Sequence, residues 1–193
     1  KYIEIEKNNL IGKKIAIYNV GKDKKIVGYN YDDLFRIINN FSEYLSKKIK
    51  KNLEKKTVLI HGSASLETAV AMLSCARLGL IHSVVFAGFS SNALRERIID
   101  CKAKIIITVD AFKRSGKIIN SKDIVDNAIK VDCDFVENVI VYENHASLSY
   151  KKLRDLVWND ILPTCEVNIE PISMSSDSLL FILYTSGSTG KPK

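Results

Sequence analysis

Residues Thr57–Asp110 read TVLIHGSASLETAVAMLSCARLGLIHSVVFAGFSSNALRERIIDCKAKIIITVD, and their rhythm decides the fold. Val58 to His61 is a short, continuous apolar run, the mark of a strand buried on both faces. After a loop over Gly62 to Ser65, the stretch Leu66 to Leu78 is long enough for a helix, with Gly79 where a left-handed carboxyl cap belongs. Ile81 to Phe86 is the next strand. Ser90 or Ser91 then caps a helix over Asn92 to Cys101, and Ile105 to Val109 is the strand beyond it. Strands and helices in strict alternation predict an α/β fold, a mainly parallel sheet flanked by helices on both faces.

The flanks extend the pattern. Upstream, Lys14 to Val20 and Lys25 to Tyr29 are β-like runs joined by a short polar loop, a plausible hairpin. Asn30 is placed to cap a helix whose apolar stripe is Leu34, Ile37, Ile38, Phe41, Leu45 and Ile49. Downstream, a basic loop holds Lys113, Arg114, Gly116 and Lys117. The spacing then predicts a helix from Lys122 to Ile129 capped by Ser121, and a strand over Val139 to Tyr142. A further helix capped by Ser149 runs through Tyr150, Leu153, Leu156 and Val157 and ends near Trp158. A polar connection from Pro163 to Ser178 leads into Leu179–Tyr184, an apolar run that reads as a strand buried on both faces.

Composition narrows the function classes. The chain has 193 residues, 46% of them apolar and 26% charged, which suits one sizeable globular core. The net charge of +7 raises the question of a nucleic-acid partner, but the lysines are scattered and have no interleaved aromatics, so none is expected. Four cysteines, Cys75, Cys101, Cys133 and Cys165, form no CxxC pair and read as free thiols of a reducing compartment. His61, His82 and His145 lack metal-ligand spacing, and no metal site is expected from them. No apolar run approaches the ~20 residues that a membrane helix needs, so a cytoplasmic protein is the expectation. The sequence starts without methionine and stops inside its most telling loop, which reads as a fragment.

That loop is Thr185, Ser186, Gly187, Ser188, Thr189, Gly190, Lys191, Pro192 and Lys193. Its glycines let backbone amides approach a bulky anion, and its hydroxyls and lysines add donors and charge, a combination suited to a polyphosphate. It is not a Walker loop, which has four residues between its glycines and Ser or Thr directly after the lysine. On composition alone the same residues would serve equally as a flexible linker.

The wording YTSGSTGKPK resembles the phosphate-binding signature of the adenylate-forming acyl-CoA synthetases, luciferases and peptide-synthetase adenylation domains. Within that superfamily the segment Ala69 to Asp110, with HSVVF, GFS, RIID and TVD, is similar to the acetyl-CoA synthetases. The resemblance implies a partial amino-terminal adenylation domain spanning residues 1–193, without the carboxyl-terminal domain. It implies an AMP-forming acetate:CoA ligase that joins acetate, ATP and coenzyme A through an acetyl-adenylate, with Mg²⁺ accompanying the nucleotide. Thr185, Ser186, Gly187, Ser188, Thr189, Gly190 and Lys191 would then hold the ATP phosphates, with Lys193 catalytic. Phe86, Ala87 and Gly88, with Arg114, Ser115, Gly116 and Lys117, would hold coenzyme A.

Two positions depart from the family pattern, Ala87 standing for glycine and Lys117 for a second arginine. Lysine keeps the charge but loses the planar two-pronged donor. The acid pocket, the adenine and ribose motifs and the adenylation lysine are expected beyond Lys193, so the 193 residues alone are expected to make no acetyl-adenylate. Alternatives are a propionyl or other short-chain acyl-CoA synthetase, distinguished by substrate turnover, and a non-catalytic nucleotide-binding module, distinguished by tight ATP binding to the isolated chain. A basic nucleic-acid binder would instead show salt-sensitive binding.

Overall fold

The computed structural model describes residues 9–21, 24–48, 57–145, 154–160 and 168–185. A single helical turn α1 (Asn9–Gly12) precedes an antiparallel hairpin of β1 (Ile15–Val20) and β2 (Ile26–Asn30). The Asn30 side chain accepts from Asp33 N–H at 2.8 Å and so caps α2 (Tyr31–Lys48). Then follow β3 (Thr57–Gly62), α3 (Leu66–Arg77), β4 (Ile81–Phe86), α4 (Ser91–Asp100) and β5 (Ile105–Val109). The remaining elements are β6 (Ala111–Arg114), β7 (Lys117–Asn120), α5 (Ser121–Ala128), β8 (Asn138–Tyr142), β9 (Asp155–Val157) and β10 (Phe181–Ile182).

Six strands form one sheet in the order β10-β4-β3-β5-β8-β9, and every neighbouring pair runs parallel. Successive residues of a strand point to opposite faces, and the two apolar layers follow from that alternation. Val58, Ile60, Ile105, Ile107 and Ile140 pack under α2 and α3, against Ile38, Phe41, Leu45, Val70 and Cys75. Leu59, Val85, Ile106, Val139 and Val141 pack under α4 and α5, against Leu94, Ile98, Val125 and Ala128. Trp158 closes the first layer, stacked on Phe41 with ring centroids 3.9 Å apart. Helix α3 begins at Ser65, whose hydroxyl accepts from Thr68 N–H at 3.2 Å, and stops before Gly79 at φ +64°.

Four expectations change. Asp155–Val157 is a strand paired with β8, not a helix, because a closed ionic ring draws it to the sheet. Asp155 meets Lys122 at 2.8 Å and Arg154 at 2.9 Å, while Asp126 meets Lys122 at 2.7 Å and Arg154 at 2.5 Å. Ser149 and Tyr150, the start of that expected helix, lie outside the described residues, as do Ile49 and Cys165. The N-cap position of α5 is Asn120, whose side chain makes no capping bond, and Ser121 is instead the helix's buried first residue. The basic loop at Lys113–Lys117 is a tight hairpin of β6 and β7.

The run Leu179–Tyr184 is not buried on both faces. Only Phe181 and Ile182 pair with β4, at the sheet's edge, and Phe181 is 55% exposed. An edge strand has one hydrogen-bonding side open to solvent, so its apolar character does not ensure burial. A strap of residues 168–178 ties it to the helices: Arg77 donates Nε–H to the Ile169 carbonyl at 2.8 Å, and Ile169 N–H donates to Asn39 Oδ1 at 2.8 Å.

Candidate functional site

Parallel sheets carry their ligands outside the carboxyl ends of the strands, and Phe86, Gly88 and Arg114 sit there. Strand β4 ends at Phe86, and the chain turns at once, with Phe89 N–H donating to the Phe86 carbonyl at 3.1 Å. From the end of β5 the β6–β7 hairpin returns towards this turn. Its two turn residues are Ser115 at φ +49° and Gly116 at φ +81°, so both lie in the left-handed region that a type I′ hairpin requires. Arg114 and Lys117 face each other across that turn, which puts two cations at the hairpin's tip.

The Arg114 guanidinium lies over the Phe86 ring, 5.4 Å from its centroid. Gly88 completes the cluster: a Cβ built there would stand 2.3 Å from Arg114 Nη1 and 2.8 Å from Phe86 Cε1. Phe86, Gly88 and Arg114 therefore converge from two separate loops, with Phe86 50% exposed and available to a planar ligand. Ala87 behaves differently. It is fully buried in the α2/α3 layer and its N–H donates to the Gly62 carbonyl at 3.2 Å, so its methyl faces the core. The departure from glycine at this position leaves the exposed cluster untouched.

The hairpin is anchored by Asp110, a buried carboxylate that sequence reasoning passed over. Its oxygens accept from the backbone N–H groups of Ala111 at 2.5 Å, Asn144 at 2.8 Å and His145 at 2.6 Å. Between these loops and the start of α3 lies a cavity of about 350 Å³, whose wall includes Ser63, Glu67, Lys113 and Asn144.

Of the hydroxyl- and glycine-rich loop, Thr185 is described and exposed. Ser186, Gly187, Ser188, Thr189, Gly190, Lys191 and Lys193 lie outside the described residues. The loop's root is well held: Tyr184 donates its hydroxyl to Asp100 Oδ2 at 2.5 Å. Burial, together with that bond, raises the Tyr184 phenol well above its ordinary pKa, so it stays a donor.

His61, His82, Cys75 and Cys101 are buried in the scaffold. Burial lowers His61 to about 4 and also lowers His82, keeping both neutral at pH 7. Burial likewise pushes the Cys75 thiol up to about 12 and the Cys101 thiol to about 11, so the free thiols Cys75 and Cys101 are weak nucleophiles. Among the described residues no group of three or more His, Cys, Asp or Glu is placed to hold a metal ion. Nor is any helix among them long and apolar enough to cross a membrane.

Residues 8–193 match the family model described as AMP-binding enzyme. The chain belongs to the AMP-binding enzyme family. The chain is 45% identical over 167 residues to the acetyl-coenzyme A synthetase of Pasteurella multocida (strain Pm70), which covers 86% of the chain and 25% of that protein. It is 50% identical over 137 residues to the acetyl-coenzyme A synthetase of Campylobacter jejuni subsp. jejuni serotype O:23/36 (strain 81-176), covering 70% of the chain and 21% of that protein. Its fold matches the acetoacetyl-CoA synthetase from Streptomyces lividans with a TM-score of 0.85 at 17% identity, over 98% of this chain and 28% of that one. The chain thus spans about a quarter of the length of the curated relatives it matches.

Proposed function

We propose that the chain is part of the amino-terminal adenylation domain of a cytoplasmic, AMP-forming acetate:CoA ligase. The observation that carries this reading is the convergence of Phe86, Gly88 and Arg114, which forms a cradle that a single Cβ would fill. The names of the relatives point to acetate and coenzyme A, and the cradle suits the nucleotide end of coenzyme A. Phe86 offers a ring face to adenine, Arg114 and Lys117 offer charge to its phosphates, and Gly88 leaves the backbone open to close approach.

In the first half-reaction a carboxylate oxygen of acetate bonds to the α-phosphorus of ATP, and the bond to the β-phosphate oxygen breaks, releasing pyrophosphate. In the second, the thiol sulfur of coenzyme A bonds to the acyl carbon, AMP leaves with the electron pair and the thiol proton passes to solvent. Thr185 to Lys191 supply amides, hydroxyls and a lysine charge to the leaving pyrophosphate, and Lys193 neutralises charge that develops on it. Mg²⁺ would arrive with the nucleotide and add further charge neutralisation. Holding the two substrates in register is most of the catalytic task.

The test is product analysis on the full-length protein with acetate, Mg-ATP and coenzyme A. AMP and acetyl-CoA in equal amounts are expected, and formation of ADP, or AMP without thioester, overturns the assignment.

A further inference from the structure

Helix α4 carries a charge where its pattern calls for an apolar residue. Leu94, Ile98 and Cys101 form its inward stripe, and Arg97 lies among them, only 8% exposed. Its Nη1 donates to the Ala93 carbonyl at 2.6 Å. Its guanidinium carbon stands 4.5 Å from the ring centroid of Phe89 and 5.3 Å from that of Tyr184. Phe89 belongs to the turn that bears Phe86 and Gly88, and Tyr184 directly precedes Thr185. The carboxylate that accepts the Tyr184 hydroxyl, Asp100, lies one turn further along the same helix.

We propose that Arg97 is a positioning residue that ties the coenzyme A turn to the root of the polyphosphate loop. The inference rests on the function proposed above. A guanidinium is flat and presents π-faces to more than one aromatic partner, whereas an ammonium is a compact, strongly hydrated charge. Cation–π contacts are stronger at desolvated sites than at exposed ones. Holding both rings, Arg97 sets the separation between Tyr184, which leads into the polyphosphate loop, and the turn that carries Phe86 and Gly88. Displacements of ~1 Å between reacting groups cost rate steeply.

The consequence is a joint effect on two substrates that no single loop contacts. In the full-length enzyme, Arg97→Met removes the charge at similar length. It raises the KM for ATP, read by acetate-dependent pyrophosphate exchange without coenzyme A, and the KM for coenzyme A, read by overall turnover, each by about tenfold as one ~1.4 kcal/mol loss per loop. Arg97→Lys restores part of both. Val125→Ala, on the buried face of α5, serves as control: it lowers Tm and leaves both KM values in place.

If the wild-type enzyme shows no acetate-dependent exchange, the functional reading itself fails. If the wild type is active but Arg97→Met changes neither KM by more than twofold, or changes only one, the tie between the loops is refuted. Should Arg97→Met not fold, Arg97→Lys carries the test by the same two readings.

Discussion

Replacing Gly88 with alanine probes the cradle with one methyl group. The new carbon would stand 2.3 Å from Arg114 Nη1 and 2.8 Å from Phe86 Cε1, against the ~3.5 Å or more that non-bonded heavy atoms require. Both obstructing atoms end exposed side chains, so they retreat rather than strain the fold, and the guanidinium leaves the ring face. The loss is a cation–π contact of ~0.5–1 kcal/mol at an exposed site, together with weakening of a charge-assisted bond to phosphate worth ~1.5–3 kcal/mol when intact. A net loss of ~2 kcal/mol corresponds to a KM for coenzyme A raised about 30-fold. Steady-state AMP formation by the full-length enzyme at varied coenzyme A measures it, with pyrophosphate exchange at varied ATP as the internal control. A coenzyme A KM within threefold of wild type, or an equal rise in the KM for ATP, would refute the placing of Gly88 in a coenzyme A cradle.

Other perturbations test the scaffold. Burial lowers the folded-state pKa of His61 from 6.5 to about 4, so the unfolded chain binds the extra proton first as pH falls. Stability from this group is complete above pH ~6.5 and is lost as pH falls towards ~4, by about 3 kcal/mol, a slope that His61→Asn should remove in urea unfolding at several pH values. Asp155→Ala leaves Lys122, whose side chain is 4% exposed, facing a broken ionic ring, and should lower unfolding stability by ~3 kcal/mol. Gly116→Ala meets no atom within 4 Å but must hold φ +81°, so it should cost ~1 kcal/mol in the hairpin and raise the KM for coenzyme A without touching that for ATP.

Two inner strands, Ile81–Phe86 and Ile105–Val109, were legible to the residue, and β3 was read one residue short at each end. Ile105–Val109 is buried throughout, and Ile81–Phe86 is bounded in the sequence by turn signals, with Gly79 and Ser90 marking the neighbouring helix ends. Asp155–Val157 was not, because Leu153, Leu156 and Val157 mimic helical spacing and the deciding partner, Lys122, is remote in sequence. Edge position decided Leu179–Tyr184 in the same way, since solvent exposure there depends on which strand lies beside it. At the candidate site, resemblance pointed to Phe86, Gly88 and Arg114, while Arg97 and Asp110 stood only as letters of the RIID and TVD landmarks, with no role read for either. Arg97 did leave a signal of its role, a charge inside the stripe Leu94, Ile98 and Cys101; the anchoring role of Asp110 left none, because its partners are backbone amides that folding alone assembles.

Acetate-dependent exchange of labelled pyrophosphate into ATP by the full-length enzyme, without coenzyme A, isolates the adenylation step on which every role assigned here depends. Label should enter ATP only when acetate is present, and alanine at Gly187 or Lys193 should suppress it. Exchange independent of any carboxylic acid, or none at all from an enzyme that binds ATP, would contradict the assignment.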